Sequence, residues 1–243
     1  MAYVQETYTL PSNGMIEGIP KQVTLRNITT AEEKLLLGST EDALDDVLKA
    51  CIVEPKNIDL SKMISADKHF IMYKLRIISY GPGYHVSVKC PHCGKETEFK
   101  INLDELETDF LPDDFSEPYA ERKLPVAGDT VSFKLPRHAD TEKARRDARK
   151  YARKFPAAKG DMLYIYNLLT NIHQVNDKDL TLREKQAWLE GLSGMDSSFI
   201  KNELEKLKVG LDTTCIEDCP VCKGEIEFNI PITSEFFRTR FDD

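Results

Sequence analysis

Apolar and polar positions change their period several times along this 243-residue chain, and each change predicts an element. Near the start the pattern is short and strand-like. Tyr8-Thr9-Leu10 and Gln22-Val23-Thr24-Leu25 lie on either side of a Ser12-Asn13-Gly14 turn. At Thr30 the period lengthens: Thr30-Ala31-Glu32-Glu33 reads as a capping box ahead of Leu35, Leu36 and Leu37. A second helix is expected from about Glu41, with Leu44, Val47, Leu48 and Cys51 on one face. A third begins near Ser65, carries Phe70, Ile71, Leu75 and Ile78, and stops at Gly81.

Strict alternation then returns. Tyr84, Val86 and Val88 interleave with His85, Ser87 and Lys89, and Phe99, Ile101 and Leu103 with Glu98, Lys100 and Asn102, which predicts a hairpin around Cys90-Pro91-His92-Cys93. An acidic connector from Asp104 to Glu117 leads to a second expected hairpin, Arg122 to Leu135, turning at Ala127-Gly128-Asp129. From Asp140, a plausible N-cap, the chain reads as helical, with Ala144, Ala148, Tyr151 and Phe155 in one stripe. Met162 to His173 reads as a strongly apolar helix. Thr181-Leu182-Arg183-Glu184 opens another, which carries the single tryptophan, Trp188. Asp196 is placed to cap a last helix, with Ile200, Leu204 and Leu207 inward and Gly210 ending it. A final strand is expected through Ile226, Phe228, Ile230 and Ile232.

The final strand belongs to a repeat. Cys90 to Leu103 (CPHCGKETEFKINL) and Cys219 to Ile232 (CPVCKGEIEFNIPI) align without a gap. Each supplies two thiols on a tight turn, and a tetrahedral zinc takes four. Cys90, Cys93, Cys219 and Cys222 are therefore expected to form one closed, structural site holding about one zinc per chain, with Gly94 and Gly224 relaxing the two turns. A dithiol-oxidoreductase reading of Cys90-Pro91-His92-Cys93 requires a helix after the pair, whereas a strand pattern follows here. Superposing the copies sets Cys215 opposite Val86, an inward strand position, so a buried thiol is expected there. Cys51 belongs to an apolar helix face.

Composition narrows the partners. A net charge of −8 argues against nucleic acid as the main partner, and no apolar run reaches the length of a membrane span. The N-terminus lacks the basic start and apolar core of a signal peptide, which favours reduced cysteines in a cytosol. The densest positive patch is Arg145, Arg146, Arg149, Lys150, Arg153 and Lys154, opposite the alanine stripe. It reads as a solvated face or as a candidate partner-binding surface for an acidic protein. The acidic connector is one candidate for that surface, in the same chain or in a neighbouring copy. The competing use of this helix is a zinc-ribbon nucleic-acid-binding or transcription-associated module. Enzyme signatures are missing: there is no phosphate-cradling glycine loop, HExxH or Gly-x-Ser-x-Gly, and the five histidines show no telling spacing to carboxylates.

Thr24 to Glu33 (TLRNITTAEE), the helix ending Ile77-Ile78-Ser79-Tyr80-Gly81 and the Cys-Pro-x-Cys knuckle together resemble the baseplate hub and hub-assembly proteins of T4-like contractile-tailed bacteriophages. The resemblance is clearest over residues 20–105. It implies a non-enzymatic protein that builds, or helps build, the baseplate centre through contacts with other phage proteins or with itself. Such a protein is made in the host cytoplasm and is a candidate for the virion tail. The expected fold is α+β: helical segments flank a discontinuous zinc-ribbon-like β element made by two CPxC hairpins. Residues 1–83 form the N-terminal part, 84–104 plus 209–243 the β element, and 105–208 an inserted connector, hairpin and helical segment.

Overall fold

The computed structural model describes residues 4–37, 41–155, 162–232 and 236–237, so both extreme ends of the expected segments lie outside the described residues. The fold is α+β, with small antiparallel sheets joined by helices. Strand β1 (Gln5–Thr9) pairs with β2 (Gln22–Arg26), whose Val23 and Leu25 turn inward while Thr24 between them stays half-buried. Helix α1 (Thr30–Leu37) follows. Its capping box begins one residue earlier than the pattern predicts: the Thr29 N–H and hydroxyl both donate to Glu32, at 2.9 and 2.6 Å. Arg26 also pairs with Glu32, at 2.8 Å, and with these donors holds its carboxyl down at about 2 against the opposing effect of burial.

Helix α2 (Glu41–Cys51) buries Val47, Leu48 and Cys51. It runs directly into β3 (Ile52–Glu54), which completes the sheet β1-β2-β3. Helix α3 (Ser65–Tyr80) stops at Gly81, where φ is +83°. It is the post around which the first apolar cluster forms. Its Tyr73 hydroxyl donates to the Ile230 carbonyl at 2.8 Å. Its buried Arg76 donates to three carbonyls: Phe236 at 2.9 Å, Gly81 at 2.8 Å and Gly83 at 3.1 Å. One side chain thus ties the helix end, the next strand and the C-terminal segment together.

Strands β4 (Gly83–Lys89) and β5 (Glu96–Asn102) form the hairpin expected at the first knuckle. The connector contributes β6 (Thr108–Asp109), and its acids turn to separate partners. Asp104 reaches Lys74 at 3.5 Å, Asp113 accepts from Asn13 at 2.9 Å, and Glu117 pairs with Arg137. Strands β7 (Tyr119–Lys123) and β8 (Thr130–Phe133) make the next hairpin, and α4 (His138–Lys154) follows. Asp140 does not stand at the N-cap. It sits one turn inside α4 and accepts from the N–H of Arg137, which does.

The apolar run from Met162 to His173 divides. Helix α5 (Met162–Thr170) ends in side-chain bonds of Thr170 and Asn171 to the Asn167 carbonyl, at 2.6 and 3.0 Å. Residues Ile172–Val175 then form β9, the third strand of β7-β8-β9. The open edge of β8 and the β-branched residues outweigh the helical period there.

Helix α6 (Leu182–Gly191) carries the expected capping box of Thr181 and Glu184. Helix α7 (Gly194–Glu205) is capped by Ser193, not Asp196. Burial would raise the Asp196 pKa, but the N–H groups of Val126 at 2.8 Å and Ala127 at 3.2 Å, with the Ser193 hydroxyl, hold it low. The chain leaves the helix before Gly210, which instead opens β10 (Gly210–Leu211), paired to β6. A Cβ at Gly210 would stand 3.0 Å from that of Ala66, so glycine lets this strand lie against α3. Strands β11 (Thr214–Asp218) and β12 (Glu225–Asn229) close the fold as a second hairpin.

Apolar side chains gather in two clusters. The first joins β1 to β5 and α2 and α3 to the second hairpin; the other joins β7 to β9 with α4 to α7. A polar joint that no histidine–carboxylate spacing in the sequence announces lies between them. His138 Nε2 is 2.6 Å from Lys68 Nζ and 3.2 Å from Asp45 Oδ2, and Lys68 also pairs with Asp45. Desolvation and the lysine lower the His138 pKa, so the neutral ring accepts from Lys68.

Asp67, fully buried in the first turn of α3, accepts from the Ser12 N–H at 2.8 Å, but its second oxygen has no partner. Burial pushes this carboxyl up to about 6, so the protonated form is favoured in the folded state. That contribution is present below the unfolded pKa of about 4 and lost as pH rises through about 6. Asp67→Asn is expected to gain on the wild type by up to about 3 kcal/mol across that range in urea-unfolding free energy. A difference that stays flat with pH would mean that Asp67 ionises normally.

Candidate metal centre

Both Cys-Pro-x-Cys turns fold the same way. The Cys90 N–H donates to Lys95 O and the Gly94 N–H to Cys90 O; the Cys219 N–H donates to Gly224 O and the Lys223 N–H to Cys219 O, all at 2.9 Å. The left-handed position of this turn is Gly94 in the first copy, with φ +71°, and Lys223 in the second, with φ +60°. Gly224 therefore does not occupy the conformation expected of it. Its missing Cβ makes room for a neighbour, since a Cβ there would lie 2.6 Å from Cδ2 of His92. Nor is His92 among the clustered metal-type ligands. Its Nε2 donates to the Glu225 carbonyl at 2.9 Å, stitching one knuckle to the other. Below the turns, Phe99 of β5 stacks on Phe228 of β12 with centroids 5.4 Å apart.

This packing brings together the four cysteines singled out from the sequence. Their sulfurs all lie within 4.8 Å of one another. The first thiol of each knuckle meets the second of the other: Cys90 Sγ to Cys222 Sγ is 3.7 Å, and Cys93 Sγ to Cys219 Sγ is 3.9 Å. These separations far exceed a disulfide bond. They match the edge of a tetrahedron of sulfurs, about 3.8 Å when each lies about 2.3 Å from a central zinc. Cys90 and Cys219 are buried, whereas Cys93 and Cys222 face solvent. The N–H groups of Cys222 and Val221 aim at Cys219 and hold its thiol down at about 6 despite desolvation. At Cys222 the Gly224 N–H favours the thiolate, but desolvation and the adjacent thiols outweigh it and push the group up to about 11. Cys219 thus favours the thiolate and Cys222 the thiol, and a metal ion, which requires thiolates, would bind with release of protons. The donor set and its shape fit such an ion.

The other two cysteines stand apart. Cys215 pairs in register with Phe228, as Val86 does with Phe99, but it is half-buried, not the buried thiol expected; desolvation raises its thiol pKa. Cys51 is fully buried, which pushes it up to about 11.

Arg145, Arg146, Arg149, Lys150, Arg153 and Lys154 are all exposed on α4, while Ala144 and Ala148 face the second cluster. Within the helix Arg145 reaches Glu142 at 3.0 Å, Lys150 reaches Asp147 at 3.6 Å, and Lys154 lies over the Phe155 ring at 5.3 Å. No helix among the described residues is long and apolar enough to cross a membrane.

Distant parts of the chain thus converge on four thiols, and the described residues contain no other cluster of metal-type ligands. The family model described as "T4 bacteriophage base plate protein" matches residues 1–238, and the chain belongs to that family. No match was found among curated proteins or among solved structures.

The His92–Gly224 contact is testable by a double-mutant cycle. Gly224→Ala is expected to cost about 1–3 kcal/mol through overpacking, and most of that cost should vanish when His92 is also replaced by alanine. Equal costs in both backgrounds, read by thermal unfolding, would show that the ring is not the obstacle.

Proposed function

We propose that this protein is a non-enzymatic structural or assembly component of the central hub of a phage tail baseplate, held together by one structural zinc per chain. The observation that carries the role is the family match over residues 1–238, which implies contacts with other phage proteins. The metal is supported by the sulfur geometry: Cys90, Cys93, Cys219 and Cys222 would fill all four positions of a tetrahedral ion, a zinc-ribbon-like arrangement with no place for substrate. The six basic residues of α4 are assigned to protein contacts. Synthesis in the host cytoplasm followed by delivery to the tail fits this role.

Purified protein is expected to carry about one zinc per chain, and Cys90→Ser or Cys219→Ser to lose both metal and cooperative unfolding, since structural zinc contributes on the order of 10 kcal/mol. Cys215→Ser should keep the zinc. Full stability of metal-free protein would refute the metal assignment. For the role, tagged protein from infected cells should co-purify with baseplate proteins, and mass spectrometry of virions then tells a retained subunit from an assembly factor. A chain that ignores every tail protein would sink the role.

A further inference from the structure

The two hairpins repeat one pattern, so their outward faces can be compared position by position. On β4–β5 the outward pairs are His85 with Lys100, Ser87 with Glu98 and Lys89 with Glu96. Charges balance there: Ser87 donates to Glu96 at 3.0 Å, and His85 lies 3.8 Å from Glu98. On β11–β12 the pairs are Thr214 with Asn229, Ile216 with Glu227 and Asp218 with Glu225. Asp218 and Glu225 oppose each other directly, an unfavourable like-charge pair. Ile216, in the middle of this face, is 59 % exposed. Among the described residues no cation pairs with Asp218, Glu225 or Glu227.

Helix α4 carries the complementary imbalance. Arg146, Arg149, Lys150 and Arg153 fall at i, i+3, i+4 and i+7, one stripe opposite Ala144 and Ala148. Like charges at these spacings destabilise a helix. Arg146 and Arg153 form no ion pair among the described residues. Each face is locally unfavourable, and each supplies what the other lacks.

We propose that the cationic face of α4 in one copy docks on the acidic β11–β12 face of a second copy, with Ile216 packing against the aliphatic stems of the arginines. The contact joins two different surfaces, so it propagates head to tail and closes a ring or extends a filament. It rests on the assignment of α4 to protein contacts and is independent of the metal.

The test is sedimentation of the purified full-length chain at low and high salt. Wild type is expected to self-associate at low salt and to dissociate as salt rises. Arg146→Glu with Arg153→Glu, or Glu225→Lys with Glu227→Lys, should each weaken association by about tenfold or more. The two variants mixed should co-assemble in a 1:1 ratio, because native faces meet at one contact and charge-reversed faces at the next, and all four substitutions in one chain should restore assembly through the reversed contact alone. Unchanged zinc content and far-ultraviolet circular dichroism separate loss of docking from loss of the fold. A wild-type monomer at low salt, or assembly indifferent to both charge reversals, overturns the proposal. Salt-sensitive retention on duplex DNA that Arg146→Glu with Arg153→Glu abolishes, without self-association, overturns it in favour of nucleic acid.

Discussion

Four sulfur atoms from two turns, with Cys93 and Cys219 126 positions apart in the chain, are held within 4.8 Å of one another. Most of the architecture is arranged to make that meeting possible. A two-stranded hairpin is marginal in water by itself, and here two of them share a stacked Phe99–Phe228 pair and the His92–Glu225 bond. Unbridged, the thiols repel as anions or sit as poor hydrogen-bonding partners. Bridged by an ion, they would close a loop of the chain between Cys93 and Cys219. Closing a loop of that length removes on the order of 5 kcal/mol of chain entropy from the unfolded state. Because this cost grows only with the logarithm of length, a long connection between the two turns is tolerated.

Helix α3 joins distant parts of the chain through hydrogen bonds. Arg76 is buried with carbonyl oxygens as its hydrogen-bond acceptors, and one of them, Gly81, lies at the negative end of its own helix. The Arg76 and Tyr73 bonds reach Phe236 and Ile230, so the C-terminal segment is fixed to the helix that precedes the first knuckle. Helix α4 is fixed separately to α2 and α3, where Lys68, Asp45 and His138 meet. Two polar joints and one cysteine cluster, more than any continuous sheet, locate the parts of the chain relative to one another.

Period decided what was legible in the sequence. Both hairpins at the knuckles, α3 with its stop at Gly81, and the four thiols follow from alternation, helical spacing and an ungapped repeat. The errors arose where two local signals compete. Asp140 and Asp196 are good caps by residue type, but each stands one turn further in and serves a neighbouring N–H. Ile172 to Val175 continues an apolar helix on paper, yet the edge of β8 takes it as a strand. His138 found Asp45 and Lys68 only because three helices converge, which no spacing encodes. Gly224 looked like a turn glycine, and its function became visible only with His92 beside it.

The divergence of the two repeats bears on function more than their likeness does. At the left-handed position, Gly94 fits without strain, whereas Lys223 accepts an unfavourable conformation of the kind that costs about 1 kcal/mol. The glycine has moved one residue on, where the partner knuckle needs the space. His92 and Val221 differ in the same sense: one reaches across to the other knuckle, and the other lies exposed. Had the repeats been independent metal modules, each would keep its own optimal turn. Instead the two turns fit each other's surfaces, with His92 of one lying in the space left by Gly224 of the other. The outward faces have diverged as well, one neutralised within the chain and the other left acidic around an exposed isoleucine. The inner faces join the halves of this molecule, so chemistry available to partners belongs to the outer ones.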